Sequence, residues 1–282
     1  MRLLSFRHDG TESWGVAVED GVVDLGRRLG DTYPTLKALV ETGSLEPARK
    51  AAAGLAADYP LKAITFLPPI VDPGKVLCVG INYLKVHPTS GKVERPANPS
   101  IFIKLPNALV GHGQNLVKPP VSEQFDYEGE LAFVIGKAGR DIPEERAFEH
   151  IIGYTCLNDG SVRDWQGHSV AAGKNFEASG ACGPWLVPAG EVGPVDKLEL
   201  STRLNGERVQ NTTVDLMMFS IPYMVHYLST MTTLMPGDIV STGTPEGSGA
   251  KRTPVRFLRP GDVLEVEWTG IGTLRNPVVA GG

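Results

Sequence analysis

The chain has 282 residues, enough for one large domain or for a large domain with a small appendage. Hydrophobic residues make up 41% of the chain and charged residues 21%, a balance that excludes a largely disordered protein. The net charge is −5 and no stretch concentrates Lys and Arg, so a nucleic acid is not expected as a partner.

The N-terminal segment predicts a small module. Residues 1–8 and 14–25 alternate apolar and polar positions around Asp-Gly turns, as a β-hairpin does. Residues 35–43 and 47–59 then carry helical spacing and helix-forming residues. A Pro-rich break at 67–75 follows. We therefore expect a small N-terminal domain over 1–70 and a catalytic domain over 71–282.

The larger segment is rich in short strands. Residues 75–82 are apolar enough for a strand that is buried on both faces, whereas residues 84–99 lack periodicity and predict a mobile surface loop. Residues 125–137 have a strand pattern. Residues 215–232 predict a buried helix that Pro222 breaks or kinks. Residues 262–278 predict a closing hairpin, so the chain as a whole is expected to be β-rich.

The cysteines and the first residues bear on location. Cys78, Cys156 and Cys182 are odd in number and far apart, which excludes a disulfide framework and matches no zinc-site spacing. The first ten residues predict an opening strand rather than a signal peptide, and no apolar run reaches the length of a bilayer span. We expect a cytoplasmic protein with reduced thiols and no membrane partner.

The sharpest local feature is the pair Glu128 and Glu130. Residues i and i+2 of a strand point to the same face, so the two carboxylates lie side by side and repel each other unless a cation lies between them. A solvated edge strand is the alternative. However, the strand continues with the apolar run LAFVIG, which indicates a buried opposite face. Asp159 follows another apolar run, 151–158, and so lies at a strand end from which it can converge on the pair.

Two Glu and one Asp, with no His or Cys nearby in sequence, form a hard oxygen site. Such a site suits Mg²⁺ or Mn²⁺, or else Ca²⁺, better than Zn²⁺. Three protein ligands leave positions that a 2-keto acid can fill as a chelate, so that the cation polarises its carbonyl. Arg163 and Gln166 follow Asp159 within one or two helical turns and supply a cation and an amide.

Six segments between about residues 74 and 280 resemble, in uninterrupted order, the fumarylacetoacetate hydrolase superfamily. They are KVLCVGINY, FDYEGELAFVIG, LNDGSVRDWQ, AGKNFEASGACGPW, MPGDIVSTGTPEGSG and RPGDVLEVEWTGIGTLRNPV. The resemblance implies an α+β, β-rich fold: a mixed β-sheet roll that follows a small N-terminal α/β domain. It also implies a homodimer, a small keto acid as substrate, and an activity like that of acylpyruvate hydrolases.

The resemblance also assigns roles to residues. The three carboxylates described above would be the metal ligands. Arg163 and Gln166 would line the active site and take part in catalysis. Lys174 would be the cation that holds the substrate carboxylate or stabilises developing charge. Thr244, in STGTP, would donate a hydrogen bond to the bound acid.

One part of the family pattern is incomplete in this chain. Hydrolytic members carry a His and, three residues later, a Glu in the loop after an Asn-Tyr pair, where they activate the attacking water. An ungapped alignment from Asn82-Tyr83 finds neither residue. One inserted residue brings His87 into register, but Ser90 then occupies the place of the Glu. We expect His87 to be the general base, with Glu94 as a residue that can orient it.

Three functions are compatible with these observations. The first is hydrolytic cleavage of a carbon–carbon bond in a 2,4-diketo acid or acylpyruvate, with Lys174 and Arg163 stabilising an enolate and His87 activating water. The second keeps the same metal site for an oxaloacetate-type decarboxylase or a keto–enol tautomerase, neither of which requires the loop His–Glu pair. The third is a catalytically silent metabolite-binding protein, which the intact carboxylate triad and Lys174 disfavour.

Overall fold

A computed structural model of the chain describes residues 1–83 and 96–282, together with the backbone of two short strands in between. In chain order the strands are β1 (Leu3–His8), β2 (Thr11–Val18), β3 (Gly21–Asp24), β4 (Tyr59–Pro60), β5 (Thr65–Phe66), β6 (Val76–Gly80), β7 (Lys85–Val86), β8 (Val93–Glu94), β9 (Ser100–Ile103), β10 (Leu109–Val110), β11 (Leu116–Lys118), β12 (Phe125–Asp126), β13 (Gly129–Ile135), β14 (Ile151–Asn158), β15 (Ser161–Val162), β16 (Gly180–Pro188), β17 (Glu199–Leu204), β18 (Glu207–Thr213), β19 (Ile239–Ser241), β20 (Val263–Trp268) and β21 (Gly272–Ala280). The α-helices are α1 (Gly26–Leu29), α2 (Leu36–Val40), α3 (Glu46–Ala52), α4 (Val170–Lys174) and α5 (Ile221–Met231). None of the helices in these ranges has the length and apolar character to cross a bilayer.

Two sheets form the body of the molecule. The larger runs in the order β4-β3-β2-β1-β16-β14-β13-β19-β6-β9, with β5 and β10 attached at its sides. It mixes antiparallel pairs with two parallel pairs, β6 with β19 and β10 with β16. The smaller runs β11-β21-β20-β17-β18. Apolar side chains of both sheets share one core, in which Leu131 and Phe133 of the larger sheet join Leu200 and Val266 of the smaller. This mixed, β-rich α+β architecture confirms the predicted fold class.

The N-terminal segment joins the larger sheet. Strand β1 pairs antiparallel with β16, with Leu3 opposite Leu186, and Trp14 belongs to the same core cluster as Leu157. The predicted β1–β2 hairpin is confirmed, and its turn residues Asp9 and Gly10 have φ of 47° and 80°. Asp and Gly tolerate this left-handed backbone better than other residues. The sheet thus continues across residue 70, and the division into 1–70 and 71–282 stays a prediction.

The helix predicted over 215–232 begins later than expected. Helix α5 begins at Ile221 and Pro222 lies in its first turn, where the missing N–H of proline breaks no hydrogen bond. The Ser220 hydroxyl caps this end by accepting from the backbone N–H of Tyr223 at 3.3 Å. The prediction that Pro222 breaks or kinks a longer helix is therefore wrong, and Val214–Leu216 forms a separate 3₁₀ turn. Helices α2 and α3 confirm the other two helical segments.

Three further predictions concern strand β6, the closing hairpin and the loop over 84–99. Strand β6 is buried as predicted, and the closing hairpin is the β20–β21 pair. The predicted loop over 84–99 lies largely outside the described residues. Within that stretch the structure describes the antiparallel pairing of β7 with β8 and residues 96–99.

The turn that leads into β20 depends on Asp262. Its carboxylate accepts hydrogen bonds from Asn205 Nδ2 at 2.8 Å, from Arg256 Nη2 at 2.7 Å and from the backbone N–H of Arg259 at 2.7 Å. Burial opposes ionisation of this carboxyl, but these donors outweigh it and lower the pKa of Asp262. The ionised form is therefore the one that stabilises the turn.

We predict that Asp262→Asn lowers the free energy of unfolding at neutral pH by about 2 kcal/mol, because an amide cannot accept charge-assisted hydrogen bonds from all three donors. The folded-state pKa lies below the unfolded value of about 3.9, so the stabilisation is complete above that value and is lost as pH falls through the folded-state pKa. Denaturant unfolding of both proteins should show their difference shrinking on acidification. The exposed Asp31→Asn serves as the control, and a difference that does not depend on pH would contradict the assignment.

Candidate metal centre

The pairing of β13 with β14 brings the three predicted carboxylates together. Glu130 is the second residue of β13 and Glu128 directly precedes the strand, while the register of Gly129 with Asn158 places Asp159 beside Glu128. The backbone N–H of Asp159 donates to the Glu128 carbonyl at 2.9 Å. One oxygen of each carboxylate lies within 4.8 Å of the others. The structure thus has the convergence that strand periodicity predicts.

Two glycines permit this close approach. A Cβ atom on Gly129 would lie 2.1 Å from Thr202 Oγ1, and one on Gly160 would lie 1.7 Å from the Ser179 carbonyl oxygen. Both distances are too short for a real contact, so any other residue would displace the Thr202 side chain in the first case and the backbone in the second. Gly129, between the two glutamates, and Gly160, directly after Asp159, therefore let neighbouring segments pack closely against the site.

Glu130 is buried, with 2% of its surface exposed. Its Oε2 accepts a hydrogen bond from the backbone N–H of Gly243 at 2.9 Å and another from the Ser241 hydroxyl. Burial raises the pKa of Glu130 well above its usual value, and the negative charges of Asp159 and Glu128 raise it further. A bound cation would favour the ionised form of this carboxyl.

Lys174 lies between the other two acids. Its Nζ is 2.6 Å from Glu128 Oε2 and 2.6 Å from Asp159 Oδ2. Burial opposes the charged form of this amine, but Asp159 and Glu128 outweigh it and raise the pKa of Lys174, so the amine is protonated. Burial likewise opposes ionisation of Asp159, while Lys104 and Lys174 outweigh it and lower the pKa of that carboxyl.

Arg163 bridges two carboxylates. Its Nη2 lies 2.7 Å from Glu128 Oε1 and 2.8 Å from Asp126 Oδ2, and its Nη1 donates to Gln166 Oε1 at 3.3 Å. Burial opposes the charge, but Glu128 and Asp126 outweigh it and raise the pKa of the guanidinium. Arg163 therefore holds Glu128 in position, and Gln166 lies beside it.

Glu128 and Glu130 line a cavity of about 290 Å³. Its described lining residues are Gly80, Ile81, Tyr83, Ser100, Phe102, Glu128, Glu130, Arg163, Gln166, Val170, Lys174, Thr244, Pro245, Glu246, Ser248 and Lys251. Four of these lining residues are ones that the sequence predicts to contact a substrate: Arg163, Gln166, Lys174 and Thr244. The volume suits a small molecule.

Two predicted roles stay predictions. The Thr244 hydroxyl donates to the Gly129 carbonyl and accepts from Gln210 Nε2, both at 2.9 Å, so its hydrogen is engaged within the protein. A hydrogen bond from Thr244 to a bound acid would require the hydroxyl to change partner. His87, the expected general base, lies outside the described residues, and so does the side chain of Glu94.

Two further residues of the site were not singled out from the sequence. Lys104 has a fully buried side chain whose Nζ lies 2.9 Å from Asp159 Oδ1 and 3.2 Å from the Gly160 carbonyl oxygen. It also donates to the Lys174 carbonyl. Asp126 is fully buried against Arg163. The only local signal for Lys104 is that a charged residue ends an apolar run. Asp126 lies two residues before Glu128, so the alternation that places Glu128 and Glu130 on one face could also have indicated Asp126.

The donor set fits a divalent cation. Glu128, Glu130 and Asp159 offer only carboxylate oxygens, the ligands that Mg²⁺ and Mn²⁺ prefer, and their crowding in a buried place is unfavourable without a positive charge. These three residues would hold the ion. The choice among Mg²⁺, Mn²⁺ and Ca²⁺ stays a prediction.

The comparisons with known proteins identify the family. Residues 75–279 match the fumarylacetoacetate (FAA) hydrolase C-terminal family, and the chain belongs to that family. It is 37% identical over 288 residues to the mitochondrial oxaloacetate tautomerase Fahd2a of Rattus norvegicus, a match that covers 99% of this chain and 92% of the relative.

Two solved structures of the family resemble the whole chain. Fumarylacetoacetate hydrolase from Exiguobacterium antarcticum is 31% identical with a TM-score of 0.85. Maleylpyruvate hydrolase from Sphingobium sp. SYK-6, in complex with manganese(II) and pyruvate, is 29% identical with a TM-score of 0.84. Both matches cover 100% of each chain. The cytoplasmic location and the homodimer predicted for this chain stay predictions.

We predict that Glu130→Gln weakens binding of Mg²⁺ or Mn²⁺ by more than about tenfold, because the amide keeps the shape of the side chain but removes an anionic ligand. Calorimetric titration of the metal-free protein measures the affinity. The metal-induced rise in Tm should shrink in parallel, since a ligand stabilises only the state that binds it. Glu144→Gln, on an exposed side chain, is the control, and equal affinity of wild type and Glu130→Gln would refute the site.

We also predict that Lys104→Met lowers the free energy of unfolding of the metal-free protein by about 3 kcal/mol. The variant removes one partner of a buried ion pair and leaves the Gly160 carbonyl without this donor. Denaturant unfolding in the presence of a chelator gives the value. Lys137→Met, on an exposed lysine, should change stability little. A loss below about 1 kcal/mol for Lys104→Met would show that the pair does not contribute as we argue.

Proposed function

We propose that the chain catalyses the keto–enol tautomerisation of a 2-keto dicarboxylic acid of the oxaloacetate type. The observation that carries the proposal is a cavity lined by Glu128, Glu130 and Lys174, in which Lys174 Nζ lies 2.6 Å from Glu128 Oε2 and 2.6 Å from the third acid, Asp159. Similarity over 99% of the chain to a protein named oxaloacetate tautomerase supports this reaction among those that such a site permits.

The reaction requires little of the site. A C–H bond at C3 of the keto acid breaks, an O–H bond forms at the 2-keto oxygen, and the double bond moves between them. No carbon–carbon bond breaks and no water is added. The needs are therefore a group that takes the proton, a group that gives one, and stabilisation of the negative charge that develops on the keto oxygen.

The chain's own residues meet these needs in part. The Lys174 ammonium supplies a positive charge and a proton donor at the cavity wall. Arg163 keeps Glu128 oriented, and the amide of Gln166 is available to a carboxylate of the substrate. When bound, the cation would polarise the keto group and so acidify the proton at C3.

A carbon–carbon bond hydrolase is the second candidate. The names of the similar structures, fumarylacetoacetate hydrolase and maleylpyruvate hydrolase, favour it, and both reactions depend on the same stabilised enolate. The hydrolase also needs an activated water, which is the role expected of His87 and Glu94. A decarboxylase of oxaloacetate would use the same site, but its first step needs neither an attacking water nor the removal of a proton from C3.

We predict that the protein with Mg²⁺ or Mn²⁺ accelerates the conversion of enol-oxaloacetate to the keto form, measured by the loss of the enol's ultraviolet absorbance. A chelator should abolish the acceleration. Nuclear magnetic resonance identifies the product against a reaction with metal alone. Pyruvate in excess of that control would instead support a decarboxylase. Pyruvate and acetate from acetylpyruvate would support a hydrolase, and either result without enol turnover would overturn the tautomerase.

The variant Lys174→Gln tests the assigned role within the same assay. We expect kcat to fall about 100-fold or more, because the amide neither carries the charge nor gives the proton. A metal-induced rise in Tm that persists in the variant would show that it is folded and loaded. A kcat equal to that of wild type in such a protein would remove Lys174 from the reaction.

A further inference from the structure

The cavity has an unpaired cation at its rim. Three basic residues line its described part: Arg163, Lys174 and Lys251. Arg163 is engaged by Asp126 and Glu128, and Lys174 contacts two members of the acidic triad. Lys251 is exposed, and its amine has no ion-pair or hydrogen-bond partner among residues 1–83 and 96–282. Its charge is therefore available to a ligand.

The turn that carries Lys251 is tied to the acidic triad. The backbone N–H groups of Gly249 and Ala250 donate to Asp126 Oδ1 at 2.7 Å and Oδ2 at 3.0 Å. Asp126 in turn binds Arg163, which holds Glu128. A fully buried carboxylate thus fixes the backbone next to Lys251 relative to the proposed metal ligand. Only the lysine side chain has to move to reach a ligand in the cavity.

We propose that Lys251 binds the distal carboxylate of a 2-keto dicarboxylate whose keto-acid end lies at the acidic triad. This assignment rests on the proposed function and names its substrate class. A distal carboxylate needs a cation of its own, since it enters a cavity that already contains Glu128, Glu130 and Glu246. In the described lining, only Lys251 offers a charge that no protein carboxylate shares.

The other walls of the cavity do not suit a carboxylate. Ile81, Phe102 and Val170 present apolar surface to the same space. Burial of an ionised group against such surface is unfavourable, whereas a methyl or longer alkyl group is compatible with it. The cavity therefore separates an anionic distal group, which is drawn to Lys251, from an apolar one.

The test compares two unreactive ligands that differ at the distal end. Malate and 2-hydroxybutyrate both offer a carboxylate and an adjacent hydroxyl, and neither has a keto group, so neither can tautomerise. Malate carries a distal carboxylate where 2-hydroxybutyrate carries a methyl group. Calorimetry on the Mg²⁺-loaded protein should show that Lys251→Gln lowers the affinity ratio of malate over 2-hydroxybutyrate about tenfold. Lys251→Arg should restore most of the ratio.

The neighbouring residue offers a matched control. Arg252 carries the same charge one position later, is paired with Glu207 and is not among the described lining residues of the cavity. Arg252→Gln should therefore keep the wild-type affinity ratio, which separates a direct contact from the general effect of net charge. In turnover of oxaloacetate, Lys251→Gln should raise KM about tenfold with a much smaller change in kcat.

The outcomes separate the two proposals. An affinity ratio that is unchanged in Lys251→Gln, or equally lowered in Arg252→Gln, overturns the assignment of Lys251 and leaves the tautomerase untouched. Failure of malate to bind to a protein that turns over oxaloacetate would likewise overturn the assignment of Lys251 and leave the tautomerase untouched. A ratio that depends on Lys251 in a protein without enol turnover supports the distal carboxylate site and overturns the tautomerase.

Discussion

The crowding of three carboxylates at the β13–β14 pair is the constraint on which the site depends. Glu128, Glu130 and Asp159 place oxygens within 4.8 Å of one another beside a buried core. Such repulsion is tolerated only when cations surround the group or when one acid is protonated. The structure shows the surrounding cations, since Lys104 and Lys174 contact Asp159 and Lys174 also contacts Glu128.

The charge balance of this cluster would favour the binding of a cation and then of an anion. Four carboxylates, those of Asp126, Glu128, Glu130 and Asp159, face the three cations Lys104, Arg163 and Lys174. Protonation of Glu130 makes the charges equal, in keeping with its raised pKa. A divalent cation in place of this proton would leave the cluster with one positive charge in excess, which would favour an anionic ligand in the cavity.

Local patterns in the sequence predict the parts of the site that depend on local geometry. The two-residue alternation places Glu128 and Glu130 on one face, and an apolar run places Asp159 at a strand end. The partner of each charge is set by distant segments instead. Lys104 reaches Asp159 from 55 residues away and Arg163 reaches Asp126 from 37. The prediction that Pro222 interrupts a helix is wrong for a different reason. A proline in the first turn of a helix and one in its interior give the same sequence signal until the start of the helix is known.

The acidic triad with Lys174 and the rim of the cavity differ in what they can determine. Tautomerisation, hydrolysis and decarboxylation of 2-keto acids all pass through an enolate, so the acidic triad and Lys174 suit each of them equally. These groups are buried, or half-buried in the case of Glu128, and each is held by several contacts, so a change in any of them disturbs the others. The rim differs, since Ile81 and Lys251 are exposed and Lys251 contacts no partner in the described chain. We therefore expect substitutions at the rim to change ligand selectivity while the charge balance of the centre stays intact.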